Sequence, residues 1–338
     1  MKNMQEYERN ILEQYKIDAD STRKVRGAVL CDTKQGLFLL KEVSVPDSRI
    51  SALCELYAHL SEHGYRGLDA LVPNESGEYV TASEDGKRYM LRRWFYAREC
   101  DIKRPGELLE ATGNLAKLHE SMKKELSTIS MTESLGEEYE RHSRELRKVR
   151  RFVRGLTSKG EFEMAFLKCF EPMYQWAEAA GELLKHSDYE ELYRKSMEKY
   201  CLVHGEYNYH NILVGYEESR NASYGITATV NFDKFKYNIQ VEDLYYFLRK
   251  VMEKHGWKER LGDSMINAYS AIRPLSEEET EYLKIRLVYP EKFWKIANSY
   301  YHSNKAWVSV KNVEKLSTAI RQTKEKERFI ENIFSFHL

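Results

Sequence analysis

Apolar residues recur every third or fourth position over 4–17, at Tyr7, Ile11, Leu12 and Tyr15, which predicts a short amphipathic helix. From Lys24 the rhythm changes. Arg26–Asp32 is a short apolar run, Thr33–Gly36 a polar turn, and Leu37–Val43 a returning run, so a β-hairpin is expected. Arg49–His63 returns to helical spacing through Ile50, Leu53, Leu56 (or Tyr57) and Leu60, and Gly64 is placed to end that helix. Two more strand candidates, Glu78–Thr81 and Arg88–Arg92, flank the turn Glu84-Asp85-Gly86. Residues 1–94 therefore read as a small α+β lobe.

Beyond Trp94 the pattern is mainly helical. Pro105 suits the first turn of a helix whose buried stripe runs through Leu108, Leu115 and Leu118. Residues 138–154 form a heavily charged, solvated helix, whereas Phe162–Lys185 is apolar enough to be a core helix. Further helices are expected near 242–254, 259–271, 276–286, 290–303 and 312–333. One stretch interrupts them. Leu202-Val203 and Ile212–Val214 flank a polar loop with a glycine, two histidines and a carboxylate, and Ile226–Val230 follows, ending in Asn231-Phe232-Asp233. Polar groups on a loop between short strands commonly carry function. The connection at 93–97 is short, and the chain shows no internal repeat or long proline-rich linker.

Composition narrows the classes of function. A chain of 338 residues with 42% apolar residues is long enough for about two core-bearing units. Its 53 lysines and arginines equal its 53 acidic residues, which argues against a broad nucleic-acid footprint and favours association near neutral pH. The five cysteines are scattered, with no CxxC pair, so reduced and mostly buried thiols are expected rather than zinc or disulfides. The N-terminus has no apolar core of a signal peptide and no window suits a membrane span, so synthesis and folding in the cytoplasm are expected.

Loop, hairpin, carboxylate-bearing turn and helix follow the order in which protein-kinase-like folds present base, metal ligands and anchoring helix. His204-Gly205-Glu206 followed by Asn211 resembles the HGDxxxxN loop of aminoglycoside phosphotransferases, with Glu206 where that family has Asp. Asn231-Phe232-Asp233 resembles the metal-binding segment, with Asn231 where the metal-binding Asp stands. The phrasing of Val203–Asn211, of Val241–Lys250 and of Tyr289–Lys295 is similar to CotS-type spore coat proteins of endospore-forming bacteria. The resemblance covers nearly the whole chain. It implies a bilobed α+β, kinase-like fold: residues 1–94 as a β-rich lobe of nucleotide-binding type, and 95–338 as a helical lobe with a catalytic-type loop at 202–214 and a metal-type segment at 230–233.

The same resemblance assigns roles. Lys41 would reach the α- and β-phosphates of ATP, with Glu55 (or Glu62) as its carboxylate partner. Met90, Arg92 and Trp94 belong to the stretch that would meet adenine. Glu206 stands at the catalytic base, but its extra methylene displaces the carboxylate by about 1 Å, and a misplacement of that size costs about a hundredfold. Asn211 would take part in catalysis and in holding Mg with Asn231 and Asp233, the last on the same face of an extended segment. His204 and Asp243 would be structural supports, Asp243 anchoring the catalytic loop through backbone N–H groups, and a helix N-cap role is also compatible with Asp243. The expected geometry sets Lys41 opposite Glu206 and Asn211 across a cleft between lobes.

Two functions follow from these residues. One is a coat component, made in the mother cell and carried into the spore coat, with other coat proteins as partners and phosphotransfer weak or lost. The other is an active, divergent ATP- and Mg-dependent phosphotransferase for a small hydroxyl or amine acceptor.

Overall fold

The computed structural model describes residues 5–126, 133–219, 222–303 and 310–336. Its contacts divide the chain into two compact units, Met1–Ser130 with Leu202–Lys236, and Met131–Cys201 with Tyr237–Leu338.

The first unit contains α1 (Glu6–Glu13), β1 (Ala19–Val25), β2 (Ala28–Thr33), β3 (Gly36–Glu42), α2 (Asp47–Glu62), β4 (Leu71–Val72), β5 (Thr81–Ala82), β6 (Arg88–Arg93), β7 (Ala97–Glu99), α3 (Pro105–Ser121), β8 (Leu202–Val203), β9 (Ile212–Ser219) and β10 (Ala222–Thr229). An antiparallel sheet runs β1-β2-β3-β6-β4 with β5 beside β6, and a smaller one runs β10-β9-β7. Strands β2 and β3 are apolar at successive positions because both faces of the sheet are covered. Val29, Cys31, Phe38 and Leu40 pack with Ile11 and Leu12 of α1, while Ala28, Leu30, Leu37 and Leu39 pack with Trp94 on the other face. Lys41 shares a face with Leu37 and Leu39 by strand alternation. Register pairs Leu39 with Arg92 and Lys41 with Met90, so Lys41 and Arg92 stand diagonally on that same face.

The expected hairpin and the expected helix after it are both present. Strand β1 was not foreseen: Ala19–Val25 is polar and mostly exposed, so it lacks the apolar alternation that marks a half-buried strand. Gly64, at φ +77, closes α2 with its N–H donated to Ser61 O, as a helix-ending glycine does. The five cysteines are thiols rather than half-cystines, four of them buried.

The second unit is helical: α4 (Leu135–Gly155), α5 (Glu161–Lys185), α6 (Tyr189–Glu198), α7 (Val241–His255), α8 (Glu259–Ser270), α9 (Glu277–Val288), α10 (Glu291–Tyr301), α11 (Val310–Arg321) and α12 (Thr323–Phe334). Ser134 opens α4 with a reciprocal capping box to Glu137. The core includes Phe162, Phe166 and Phe170 of α5 against Leu146 and Val149 of α4 and Phe293 of α10. Each buried phenylalanine contributes roughly 1.5–3 kcal/mol. The expected single helix over 312–333 is two helices that meet at Gln322, and α6 adds a helix where none was expected. Among the described residues no helix is long and apolar enough to cross a membrane.

Candidate functional site

The loop after β8 starts from a fixed backbone. Gly205 has φ +83, and a Cβ there would lie 2.2 Å from Lys234 O, so the position admits only glycine. His204 is fully buried and its ring bridges two segments. The Glu206 N–H donates to Nδ1 at 3.2 Å, so the ring proton sits on Nε2, which donates to Val230 O at 3.0 Å. Tyr207 is buried and donates to Ala111 O at 2.7 Å.

Asn211 closes the loop by donating through Nδ2 to Glu206 O at 2.9 Å. Its Oδ1 accepts from Asn231 Nδ2 at 3.0 Å. The two asparagines expected at the metal are thus bonded to each other through side chains. Glu206 is exposed, and its carboxylate has no partner among the described residues.

The segment after β10 differs from expectation. Asn231 adopts the left-handed conformation (φ 63°, ψ 54°), and Phe232–Lys234 is a 3-10 turn rather than extended chain. The turn redirects Asp233 toward the sheet. There Lys41 Nζ bonds Asp233 Oδ2, and Arg92 Nη2 bonds Asp233 Oδ1 at 2.6 Å. Burial alone would raise the Asp233 carboxyl, but the charges of Arg92 and Lys41 beside it hold it near 2.

Three residues that sequence reasoning missed complete this network. Asp69, fully buried in the loop before β4, accepts from Tyr57 Oη at 2.6 Å, Arg92 Nη1 at 2.7 Å and the Asn231 N–H at 3.0 Å. Arg49 of α2 donates to the carbonyls of Asp233 and Phe235 and lies 3.8 Å from the Phe235 ring centroid. The available signal was Asp69 itself, a carboxylate inside the apolar run Leu68–Val72.

The other assigned positions fall as follows. The ion pair of Lys41 is made to Asp233, while Glu55 and Glu62 sit on the exposed side of α2. Met90 and Arg92 lie inside β6, paired to β3, with Arg92 also paired to β4. The Trp94 N–H donates to Leu37 O at 2.8 Å. Its indole packs both on the Leu30, Leu37 and Leu39 face of the sheet and on Leu213, Ala228 and Val230 below the hairpin. Trp94 also lines an open groove of about 1420 Å³ with Leu30, Leu37, Tyr96, Val214 and Ile226. Asp243 belongs to the second unit. It is buried in the first turn of α7, where a carboxylate favours the helix N-terminus, and Gln240 holds the cap position.

A family model described as "Spore coat putative kinase YutH" matches residues 8–333. The chain belongs to the YutH family. It is 26% identical over 174 residues to spore coat protein S of Bacillus subtilis (strain 168), a match covering 51% of this chain and 47% of that relative, so it spans about half the relative's length. An aminoglycoside phosphotransferase from Alicyclobacillus acidocaldarius superposes with a TM-score of 0.84 at 15% identity, covering 97% of this chain and 95% of that one. Spectinomycin phosphotransferase, solved with ADP and spectinomycin, gives 0.64 at 11% identity, over 94% and 97%. These likenesses establish an aminoglycoside-phosphotransferase-like kinase fold for this YutH-family chain.

Mg²⁺ is normally held through one or two carboxylates plus phosphate oxygens. Here Asp233 is the only carboxylate among Asn211, Asn231 and Asp233, and both its oxygens are engaged by cationic side chains. Asn211 Oδ1 is likewise occupied.

Proposed function

We propose that this YutH-family chain is a spore coat component whose kinase-type site serves as a structural device rather than a catalyst. The observation that carries this reading is the double ion pair of Asp233. The lysine a kinase needs for phosphates and the one carboxylate left for a metal neutralise each other, and Arg92 takes the second oxygen. Glu206 in place of Asp and Asn231 in place of the metal-binding carboxylate point the same way, and the family and its coat-protein relative support the coat assignment. Residues 1–94 act as the β-rich lobe and 95–338 as the helical lobe of this proposal, with other coat proteins as partners and the coat as destination. Zero formal charge leaves little net repulsion to oppose assembly.

A second reading, ATP-dependent phosphotransfer to a small hydroxyl or amine acceptor, draws on one observation. The Lys41 and Asp233 side chains are 28% and 30% exposed, so an incoming triphosphate could compete for the lysine. Neighbours of the same fold were solved with ADP, or with AMP-PNP and Ca²⁺.

The readings separate in two measurements. Thermal stability with millimolar ATP and Mg²⁺ is expected to be unchanged, with no ATP turnover. In sporulating cells, a Lys41→Ala, Glu206→Ala chain that folds normally is expected to enter the coat like the natural one. Turnover lost on Glu206→Ala would establish the enzyme, and a coat defect in the folded double variant would overturn the structural reading.

A further inference from the structure

Two of the coat-protein-like phrases are Val241–Lys250 and Tyr289–Lys295. Both lie in the helical unit, where they surround an unusual buried polar cluster. Glu138 and His142 stand one turn apart on α4, and Glu291 is the first residue of α10. One carboxylate oxygen of each glutamate and a ring nitrogen of His142 all lie within 4.8 Å of one another.

Two of these groups lack the hydrogen bonds that burial demands. His142 is 2% exposed and Glu291 is 5% exposed, yet His142 Nδ1 and Glu291 Oε2 have no partner. Leaving a buried polar atom unmatched costs about 1–3 kcal/mol, more for a charged group. The neighbouring Tyr289 hydroxyl, also buried, is unmatched as well. Three unmatched atoms in one place indicate a missing ligand rather than a packing fault.

The surroundings orient the donors. Trp294 stacks on the His142 ring with centroids 3.4 Å apart and is itself fixed by its indole N–H donating to Glu145 at 2.8 Å. Each carboxylate is held from one oxygen. Glu291 Oε1 pairs with Lys295 at 2.8 Å, and Glu138 Oε1, 4.0 Å from His142 Nδ1, accepts from Arg286 Nη1 at 3.1 Å. Outer partners of this kind orient metal-binding carboxylates. Arg286 is anchored in turn on Glu242 at 2.7 Å, which keeps a third negative charge nearby.

We propose that Glu138, His142 and Glu291 form a structural binding site for a divalent transition-metal ion, Zn²⁺ fitting the donors best. One imidazole and two carboxylates are a nitrogen–oxygen set for such ions, with a fourth position for water or the Tyr289 hydroxyl. Bond lengths near 2.1 Å bring ligand atoms to about 3.4 Å apart, so closing the site needs side-chain shifts on the order of 1 Å. The metal would tie α4 to the start of α10.

The test uses the full chain stripped with a chelator and titrated with Zn²⁺ alone by calorimetry, with Co²⁺ absorption as a second readout. One equivalent is expected to bind and to raise the melting temperature. His142→Gln and Glu291→Gln should each weaken binding roughly 10-fold or more and abolish the one-equivalent Co²⁺ spectrum. Glu182 in the last turn of α5 and His186 at its C-cap share the same spacing but are exposed, so His186→Gln should leave binding unchanged. If His142→Gln does not fold, Glu291→Gln and the Co²⁺ spectrum of the natural chain decide. Absence of stoichiometric Zn²⁺ binding, or binding indifferent to both buried substitutions, overturns the proposal.

Discussion

Replacing Asp69 should cost more stability than its position in a short surface-to-strand connection suggests. Its carboxylate has no solvent exposure and accepts three hydrogen bonds, from Tyr57, Arg92 and the Asn231 N–H. Breaking a buried ion pair by removing one partner costs about 3–5 kcal/mol, because the other charge stays buried. In Asp69→Asn the amide keeps one acceptor, and Arg92 retains Asp233 through its other nitrogen, so about 3 kcal/mol is expected, the lower end of that range. Tyr57→Phe removes one bond to a charged acceptor and should cost about 1.5 kcal/mol. Arg92→Met should cost about 3–5 kcal/mol by stranding Asp69. The double variant Asp69→Asn, Arg92→Met should fall short of the sum by at least about 1 kcal/mol, since the two losses share one pair. Urea unfolding gives the energies, and hydrogen exchange should show the loosening at 231–235. Asp69→Asn within about 1 kcal/mol of the natural chain, or a double variant that is simply additive, would refute the reasoning.

Three further outcomes follow from the same site. The Asp233 carboxyl is held near 2, below its ordinary 3.8, so its contribution, about 2 kcal/mol, should be complete above roughly pH 4 and vanish as pH falls through 2. Acid unfolding of Asp233→Asn should therefore show a shallower loss over that window, and an unchanged profile would contradict the ion pairs. Gly205→Ala should destabilise by more than about 2 kcal/mol in urea, because positive φ and a Cβ 2.2 Å from Lys234 O compound each other. Shortening Glu206 to Asp and adding a carboxylate with Asn231→Asp should produce a larger Mg²⁺-dependent stabilisation by ATP than in the natural chain. No gain would mean that Asn231 is not what weakens metal binding.

The continuous apolar runs of β2 and β3, the spacing of Ile50, Leu53 and Leu60, and Pro105 at a helix start are local signals, and they located the elements around the site. The family resemblance marked Lys41, Asn211, Asn231 and Asp233 as a set, and the fold links those four through Asp69 and Arg92 into one hydrogen-bonded group. Strand β1 escaped because its residues bury almost nothing, leaving backbone pairing as its main support.

What the sequence by itself determined was the order of elements and the identity of the groups offered to the site, since periodicity and residue type are properties of neighbours in the chain. Tertiary structure alone decided which cation meets which carboxylate. Arg92 reads as one of several charges near the end of a strand, and Asp69 as a loop residue. Only strand register and the left-handed turn at Asn231 bring the two together with Asp233. Ion pairing between residues 23 and 141 positions apart leaves no periodic trace, because it depends on where the chain returns in space.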